Sequence, residues 1–178
     1  MRRPTATAPP CTPLPDFPSG LAERCTLARL LFFILNKDHA MTESVKILYT
    51  GKTHTSGGRE GAARSDDGRL DIKLSSPGSA GAGTNPEQLF GAAWSACFIG
   101  AMKKAAAKQN IVLPEDVAVD AEVDLAMNDD GYFLRARLNV NLPGVPREAA
   151  EAVVAGAHQT CPYSKMSRGN IDVAIRIV

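Results

Sequence analysis

An apolar stretch near the middle of the chain constrains the fold most. It reads NPEQLFGAAWSACFIGAM over residues 85–102, and Lys103 and Lys104 follow it directly. Asn85 suits an N-cap and Pro86 suits the first helical position, so the stretch predicts a helix that begins here. Apolar side chains lie on nearly every side of that helix, which indicates a buried element, and the run is too short to cross a bilayer. Protein must therefore cover it.

Regular alternation of apolar and polar residues predicts two long strands after this helix. It covers residues 117–127 and 132–142, and the intervening sequence NDDG is typical of a tight hairpin turn. Residues 171–178 alternate in the same way. One-sided alternation favours antiparallel sheets with helices packed on one face, and the predicted fold class is therefore α+β.

Weaker patterns complete the predicted order of elements. Residues 44–50 (SVKILYT) and 69–75 (RLDIKLS) are short strand candidates, each followed by a glycine-rich segment. Residues 146–159 are amphipathic and predict a second helix. That helix should end before Cys161, because a residue that precedes proline, here Pro162, is pushed out of helical geometry.

The N-terminal residues differ in composition from the rest. Residues 1–40 are rich in Pro and Thr and contain one short apolar burst, LARLLFFIL. We predict that they are a disordered extension or the product of an upstream start codon, and that residues 41–178 form the folded domain. A targeting peptide is the alternative, although residues 36–40 make a poor cleavage site.

Composition excludes several classes of partner. The chain has 178 residues and a formal net charge of +1, with 20 Lys and Arg against 19 Asp and Glu. This balance gives no electrostatic reason to expect a nucleic acid or an anionic membrane as partner. A domain of residues 41–178 would struggle to cover a helix with no polar face, so the sequence predicts a homodimer whose subunits share a core.

The cysteines leave two interpretations open. Cys97 and Cys161 lie in the predicted domain, and no CxxC pair or cysteine cluster occurs in the chain. In a reducing cytoplasm, the expected location, these two are either inert core thiols or a redox pair. A metal or Cys/His hydrolase site built on His158 and Cys161 would lack a second pair of ligands, so we expect no metal.

A reactive Cys97 would need a cation beside it, because an isolated thiol with a pKa of about 8.5 is mostly protonated at neutral pH. Arg59, in the glycine-rich SGGREG, is a candidate, and Glu87 could hold it in a bidentate pair. The simpler interpretations are a solvent-exposed arginine and a glutamate that complements the helix dipole. Glu87 and Cys97 are about 15 Å apart along a straight helix, so one site needs a bend or a partner subunit.

Three motifs together carry a family resemblance. TNPEQLFGAAWSACFIGAM, SGGREG and CPYSKMSRGNIDV resemble the organic hydroperoxide resistance proteins, the Ohr branch of the OsmC/Ohr family. The resemblance covers residues 41–178. It implies an intertwined α+β homodimer and a thiol-dependent peroxidase that uses neither metal nor haem.

The resemblance also implies residue roles. Cys97 corresponds to the peroxidatic cysteine, Cys161 to the resolving cysteine, Arg59 to the activating arginine and Glu87 to its carboxylate partner. Hydroperoxide would oxidise Cys97 to a sulfenic acid, and Cys161 would close a disulfide. No bound cofactor is implied; the implied reductant is an external dithiol, a dihydrolipoyl group on a lipoylated partner protein.

The substrate implied is an alkyl or fatty-acid hydroperoxide, which suits apolar surroundings. The chain departs from the family pattern at Trp94, where a tyrosine or another aromatic is frequent, and in the short loop 78–83. The residues expected to line the substrate pocket are Phe90, Trp94, Phe98 and Met102.

Two alternatives to this function stay open. An OsmC-type peroxidase would have the same two thiols and a broader stress role, although SGGREG and CPYSKMSRGNIDV favour the Ohr branch. A redox sensor or a hydrophobic-ligand binding protein would oxidise Cys97 without turnover.

Overall fold

A computed structural model describes residues 45–178, of which Gly51–Val178 form one compact unit. The predicted boundary at residue 41 lies outside the described residues and stays a prediction. Residues 45–50 are exposed and belong to no strand, so the strand predicted over residues 44–50 is wrong for its described part. A strand requires hydrogen bonds to a neighbouring strand, and apolar alternation alone does not supply them.

The first sheet is a small antiparallel meander. It consists of β1 (Thr53–Ser56), β2 (Ala62–Ser65) and β3 (Asp71–Lys73), paired in that order. The last of these confirms the centre of the strand predicted over residues 69–75. The other two were not predicted, because THTS and AARS carry almost no apolar alternation.

The second sheet contains the predicted hairpin. β4 (Ala118–Asn128) and β5 (Gly131–Asn141) pair antiparallel over their full length, and Gly131 follows the turn with a φ of +114°. The last strand, β6 (Asp172–Ile177), pairs with β5 in parallel. The prediction of purely antiparallel sheets is therefore wrong at this pair. A helical crossover separates β5 from β6, as parallel neighbours require.

The described residues contain three α-helices, which are numbered in chain order. They are α1 (Pro86–Lys108), α2 (Arg147–Thr160) and α3 (Pro162–Ser167). The Asn85 side chain accepts a hydrogen bond from the Gln88 backbone N–H at 2.9 Å, which confirms the predicted N-cap of α1. The break between α2 and α3 falls at Cys161, whose extended backbone (φ −61°, ψ 124°) is what a residue before proline adopts.

The core lies where α1 packs against β4, β5 and α2. Gly91 faces β4, where a Cβ added to it would make an ordinary van der Waals contact with the Ala121 Cβ at 3.5 Å. The Trp94 indole Nε1 donates to the Ser164 hydroxyl at 3.3 Å, so the deepest aromatic side chain also has its polar atom satisfied. The largest fully buried apolar side chains are Trp94, Phe98, Met102, Leu138, Val140 and Val153.

One face of α1 is not covered within the chain. Ala92, Ala96 and Gly100, spaced four residues apart, are exposed, so the expectation of a helix buried on all sides is not met by one copy alone. Apolar residues are also exposed at the hairpin tip, where Met127 is 69% and Tyr132 77% accessible. No helix in the described part of the chain is long and apolar enough to cross a membrane.

Candidate active site

The SGGREG turn brings Arg59 to the first turn of α1. The turn is tight because Gly57 and Gly58 adopt positive φ values of 71° and 56°, and a Cβ at Gly61 would collide with the Ser56 carbonyl oxygen. Arg59 can therefore extend to Glu87 from a well-defined backbone.

Arg59 and Glu87 form the predicted bidentate pair. The guanidinium donates from Nη1 to Glu87 Oε2 at 2.9 Å and from Nη2 to Oε1 at 2.6 Å. The two side chains are 41% and 10% exposed. Hydrogen bonding to Arg59 holds the pKa of Glu87 below its ordinary value, and the same bonds raise the pKa of Arg59. Both groups are thus charged and fixed in direction.

Cys97 and Cys161 are in direct contact, although Cys97 lies in α1 and Cys161 lies at the break between α2 and α3. Their Sγ atoms are 3.4 Å apart, and both are free thiols. Cys161 is fully buried, whereas Cys97 is partly exposed. The backbone of Cys161 is fixed on both sides, by its N–H to the Ala157 carbonyl at 2.8 Å and by its carbonyl to the Lys165 N–H at 2.9 Å. A small movement would bring the two sulfurs to disulfide distance.

The environment of Cys97 within one chain does not favour a thiolate. Burial and the hydrogen bond with Cys161 raise the pKa of the Cys97 thiol, against smaller lowering effects from the Tyr163 backbone and the Lys104 charge. Arg59 is not among these influences. α1 is one uninterrupted helix, so Glu87 and Cys97 are about 15 Å apart along its axis. One chain therefore forms both predicted pairs, Arg59 with Glu87 and Cys97 with Cys161, but it does not bring the first pair to the second.

A groove of about 870 Å³ opens beside Cys97 between α1, α2 and the start of α3. Three of the four residues predicted to line a substrate pocket do not reach it: Trp94, Phe98 and Met102 have no accessible surface and lie in the core. They belong to one hydrophobic cluster with Leu138 of β5 and Val153 of α2. Phe90 is half-buried, with its ring 5.3 Å from Trp94 and 6.0 Å from Tyr163.

The groove also contains a residue that the sequence reasoning missed, Lys104. The available signal was its spacing, because seven residues after Cys97 is two helical turns and hence the same face. His158, considered above with Cys161, instead borders a different groove, and burial lowers its pKa. Among residues 45–178, no three His, Cys, Asp or Glu side chains are grouped as metal ligands.

A layered α+β fold with two adjacent thiols and a bound Arg–Glu pair defines a class of small proteins with a candidate thiol redox site. A sequence profile of the OsmC-like protein family matches residues 76–176. The organic hydroperoxide resistance protein of Xanthomonas axonopodis pv. citri is 45% identical over 141 residues, which cover 77% of this chain and 99% of that protein.

Solved structures agree with these sequence relatives. The crystal structure of the organic hydroperoxide resistance protein OhrB of Bacillus subtilis matches with a TM-score of 0.70 at 41% identity, over 74% of this chain and all of that one. An organic hydroperoxide resistance protein OsmC from Legionella pneumophila gives a TM-score of 0.69 at 42% identity, over 74% of this chain and 98% of that one. The chain therefore belongs to the OsmC/Ohr family, in the branch of the organic hydroperoxide resistance proteins.

Proposed function

We propose that this protein is a thiol-dependent peroxidase that reduces organic hydroperoxides to alcohols and so defends against oxidative stress. The observation that carries the proposal is the 3.4 Å contact between a partly exposed Cys97 and a buried Cys161. Relatives named organic hydroperoxide resistance proteins align with this chain over nearly their whole length, which supports organic hydroperoxides as the substrate class.

The proposed reaction has two steps at the thiols. The Cys97 thiolate attacks the distal oxygen of ROOH, the O–O bond breaks, and the alkoxide takes a proton and leaves as ROH. Cys97 is then a sulfenic acid. The Cys161 sulfur attacks it, water leaves, and a Cys97–Cys161 disulfide forms. Because Cys161 is fully buried, Cys97 is the thiol that a peroxide can reach first.

Activation of Cys97 is proposed to come from a second copy of the chain. In one copy the Cys97 pKa is raised, while the Arg59–Glu87 pair stands at the other end of the apolar part of α1. Packing the exposed small face of α1 against that of a partner in antiparallel orientation would bring each guanidinium towards the partner's thiol. The resulting homodimer would also cover a helix face that a single chain leaves in water.

The apolar N-terminal residues of the described chain fit the same assembly. Ile47, Leu48 and Tyr49 are each at least 75% exposed, which is costly for a chain that remains a monomer. We propose that a second copy covers them in an intertwined homodimer.

Regeneration requires a dithiol that reduces the disulfide by exchange. We propose an external dihydrolipoyl group, carried by a lipoylated protein, with no cofactor bound to the chain itself. The partly exposed Cys97 Sγ is the atom that such a dithiol can attack, releasing the Cys161 thiol. The dithiol is oxidised to a cyclic disulfide as Cys97 is freed. A cytoplasmic location stays a prediction.

The test is turnover of cumene hydroperoxide with dihydrolipoamide by the wild type, Cys97→Ser and Cys161→Ser. Wild type should complete many turnovers, Cys97→Ser none, and Cys161→Ser at most one before its sulfenic acid accumulates. Consumption limited to one equivalent in the wild type would replace this proposal with a redox sensor. Equal efficiency on hydrogen peroxide would favour the broader OsmC-type activity.

A further inference from the structure

The groove beside Cys97 has a distinct chemical character. Most of its length is formed by small or apolar residues of α1 and α2, including Gly100, Ala101 and Gly156. Its charged residues are Lys104 and Lys108, and none of the described residues that line it is acidic. The groove therefore combines an apolar passage with positive charge, and Cys97 lies in its wall.

Lys104 is placed to act on a molecule that reaches Cys97. Seven residues of uninterrupted helix put it on the same face, about 10 Å further along the axis. The Cα–Cβ bonds of a helix tilt towards its N-terminus, so the Lys104 side chain leaves the backbone in the direction of the thiol. The Lys104 charge lowers the Cys97 pKa, against the larger raising effects of burial and of the Cys161 hydrogen bond.

Neither lysine of the groove is neutralised by a neighbour. Among the salt bridges of the described residues, none involves Lys104 or Lys108. A second groove, of about 810 Å³, lies at the other end of α1 and is lined by Glu87, Asp120 and Asp124. Glu87 and Asp124 of that groove are already paired, with Arg59 and Arg137, whereas the two lysines of the thiol groove have no such partner among the described residues, so the thiol groove suits an anion.

We propose that Lys104, assisted by Lys108, binds the carboxylate of an acidic organic hydroperoxide while the peroxide group reaches Cys97. The inference rests on the peroxidase function proposed above and adds a specificity-determining residue to it. The apolar wall between lysine and thiol accommodates the hydrocarbon chain that separates the two ends of such a substrate. Neutral hydroperoxides react at the same thiol without this contact.

The experiment measures steady-state turnover by the full-length protein with dihydrolipoamide at pH 7, with linoleic acid 13-hydroperoxide and with its methyl ester as substrates. The free acid should be favoured in kcat/KM by about two- to fivefold, the size of an exposed charge pair. The preference should appear in KM with kcat little changed, because the contact is equal in the ground and transition states. High salt should reduce it.

Variants identify the residue responsible. Lys104→Gln should bring the acid-to-ester ratio of kcat/KM close to one, and Lys104→Arg should keep the preference for the acid. Lys103→Gln is the matched control, since Lys103 is the neighbouring lysine of α1 and does not line the groove. A ratio near one in the wild type, or an equal loss in Lys103→Gln, would overturn the inference.

Two further arms separate the possible causes of failure. If cumene hydroperoxide is not consumed at all, the proposed function fails; if it is consumed without any acid preference, only the present inference fails. Dihydrolipoate and dihydrolipoamide are compared in the reductive step of the disulfide form. A Lys104-dependent preference confined to dihydrolipoate would assign the lysine to the reductant and overturn its role in substrate binding.

Discussion

The two ends of the apolar part of α1 carry different functional groups. At the N-terminal end, Arg59 and Glu87 form a bidentate pair, and the described cysteines Cys97 and Cys161 lie elsewhere. Ten residues further, Cys97 contacts Cys161 with no guanidinium among the groups that shape its pKa. The difference shows that adjacent thiols are not sufficient for activation: burial raises the Cys97 pKa where a reactive thiolate needs it lowered.

The largest expected effect comes from removing the cation. Arg59→Ala should lower kcat/KM for cumene hydroperoxide by about 100-fold, since one preorganised donor to a developing charge is removed. Arg59→Lys should recover only part, because an ammonium cannot make the bidentate pair. Stopped-flow oxidation of the reduced protein gives the rates.

Arg64→Ala is the matched control for this change. Arg64 is an exposed arginine of the same small sheet, paired with Asp71 at 3.0 Å, and its loss should leave the rate unchanged. An Arg59→Ala variant as fast as the wild type would show that the charged pair and the thiols function separately.

Mixing two inactive variants tests whether the two ends of α1 meet across subunits. Arg59→Ala and Cys97→Ser chains, co-expressed with different tags and purified as mixed dimers, should regain part of the wild-type rate. Each mixed dimer would hold one intact thiol pair opposite one intact Arg–Glu pair. Mixed dimers as inactive as the Arg59→Ala homodimer would indicate that each chain activates its own thiol, by a bend that brings Arg59 to Cys97.

The pH dependence of Cys97 alkylation tests whether the Arg59 end of α1 lowers the pKa of the thiol. In Arg59→Ala, alkylation of Cys97 by iodoacetamide should rise with a midpoint above about 8.5, because burial dominates its pKa. The wild type should show a lower midpoint. Mass spectrometry of the peptide that carries Cys97 distinguishes it from the other cysteines. Identical midpoints in the two proteins would contradict an activating role for Arg59.

The raised pKa of Cys97 also makes the stability of Arg59→Ala depend on pH. In Arg59→Ala the folded protein retains a proton that the unfolded chain loses above about pH 8.5. The contribution of this thiol to the free energy of unfolding is therefore complete below that pH and is lost as pH rises towards the folded pKa. Urea unfolding of Arg59→Ala over this pH range, measured with and without an additional Cys97→Ser change, would give the contribution of the thiol.

The smallest effect concerns the core under the thiol site. Trp94→Phe removes the hydrogen bond to Ser164 and some buried volume, and should lower the free energy of unfolding by about 2 kcal/mol. Urea denaturation followed by circular dichroism measures it. Tyr132→Phe, at a position 77% exposed, is the control and should change little. An unchanged midpoint for Trp94→Phe would mean that the core readjusts around Ser164.

The sequence predicted those features that depend on long, regular patterns. Eleven-residue strands with strict alternation identified the β4–β5 hairpin, and Asn85 with Pro86 located the start of α1. Short strands such as β1 carry too few residues for a pattern. The parallel pairing of β6 depends on how the crossover packs, which alternation does not encode.

The candidate site was predicted as far as local motifs extend. The contact of Cys97 with Cys161 and the pairing of Arg59 with Glu87 follow the motifs that carry the family resemblance. Three of the four expected pocket residues, Trp94, Phe98 and Met102, are buried in the core of one chain, because an apolar side chain at helical spacing serves the core as readily as a cavity. Lys104 was missed, since a lysine after an apolar run is an ordinary feature of a helix end.

The position of Cys161 also bears on how the protein would survive excess peroxide. A sulfenic acid exposed to more hydroperoxide is oxidised further to sulfinic acid, which ordinary thiols do not reverse. With a buried sulfur held 3.4 Å away by backbone hydrogen bonds, disulfide closure is intramolecular and does not await a collision. In the proposed reaction, disulfide closure would then compete with over-oxidation at a rate independent of protein concentration, so the fold itself would protect Cys97 against inactivation.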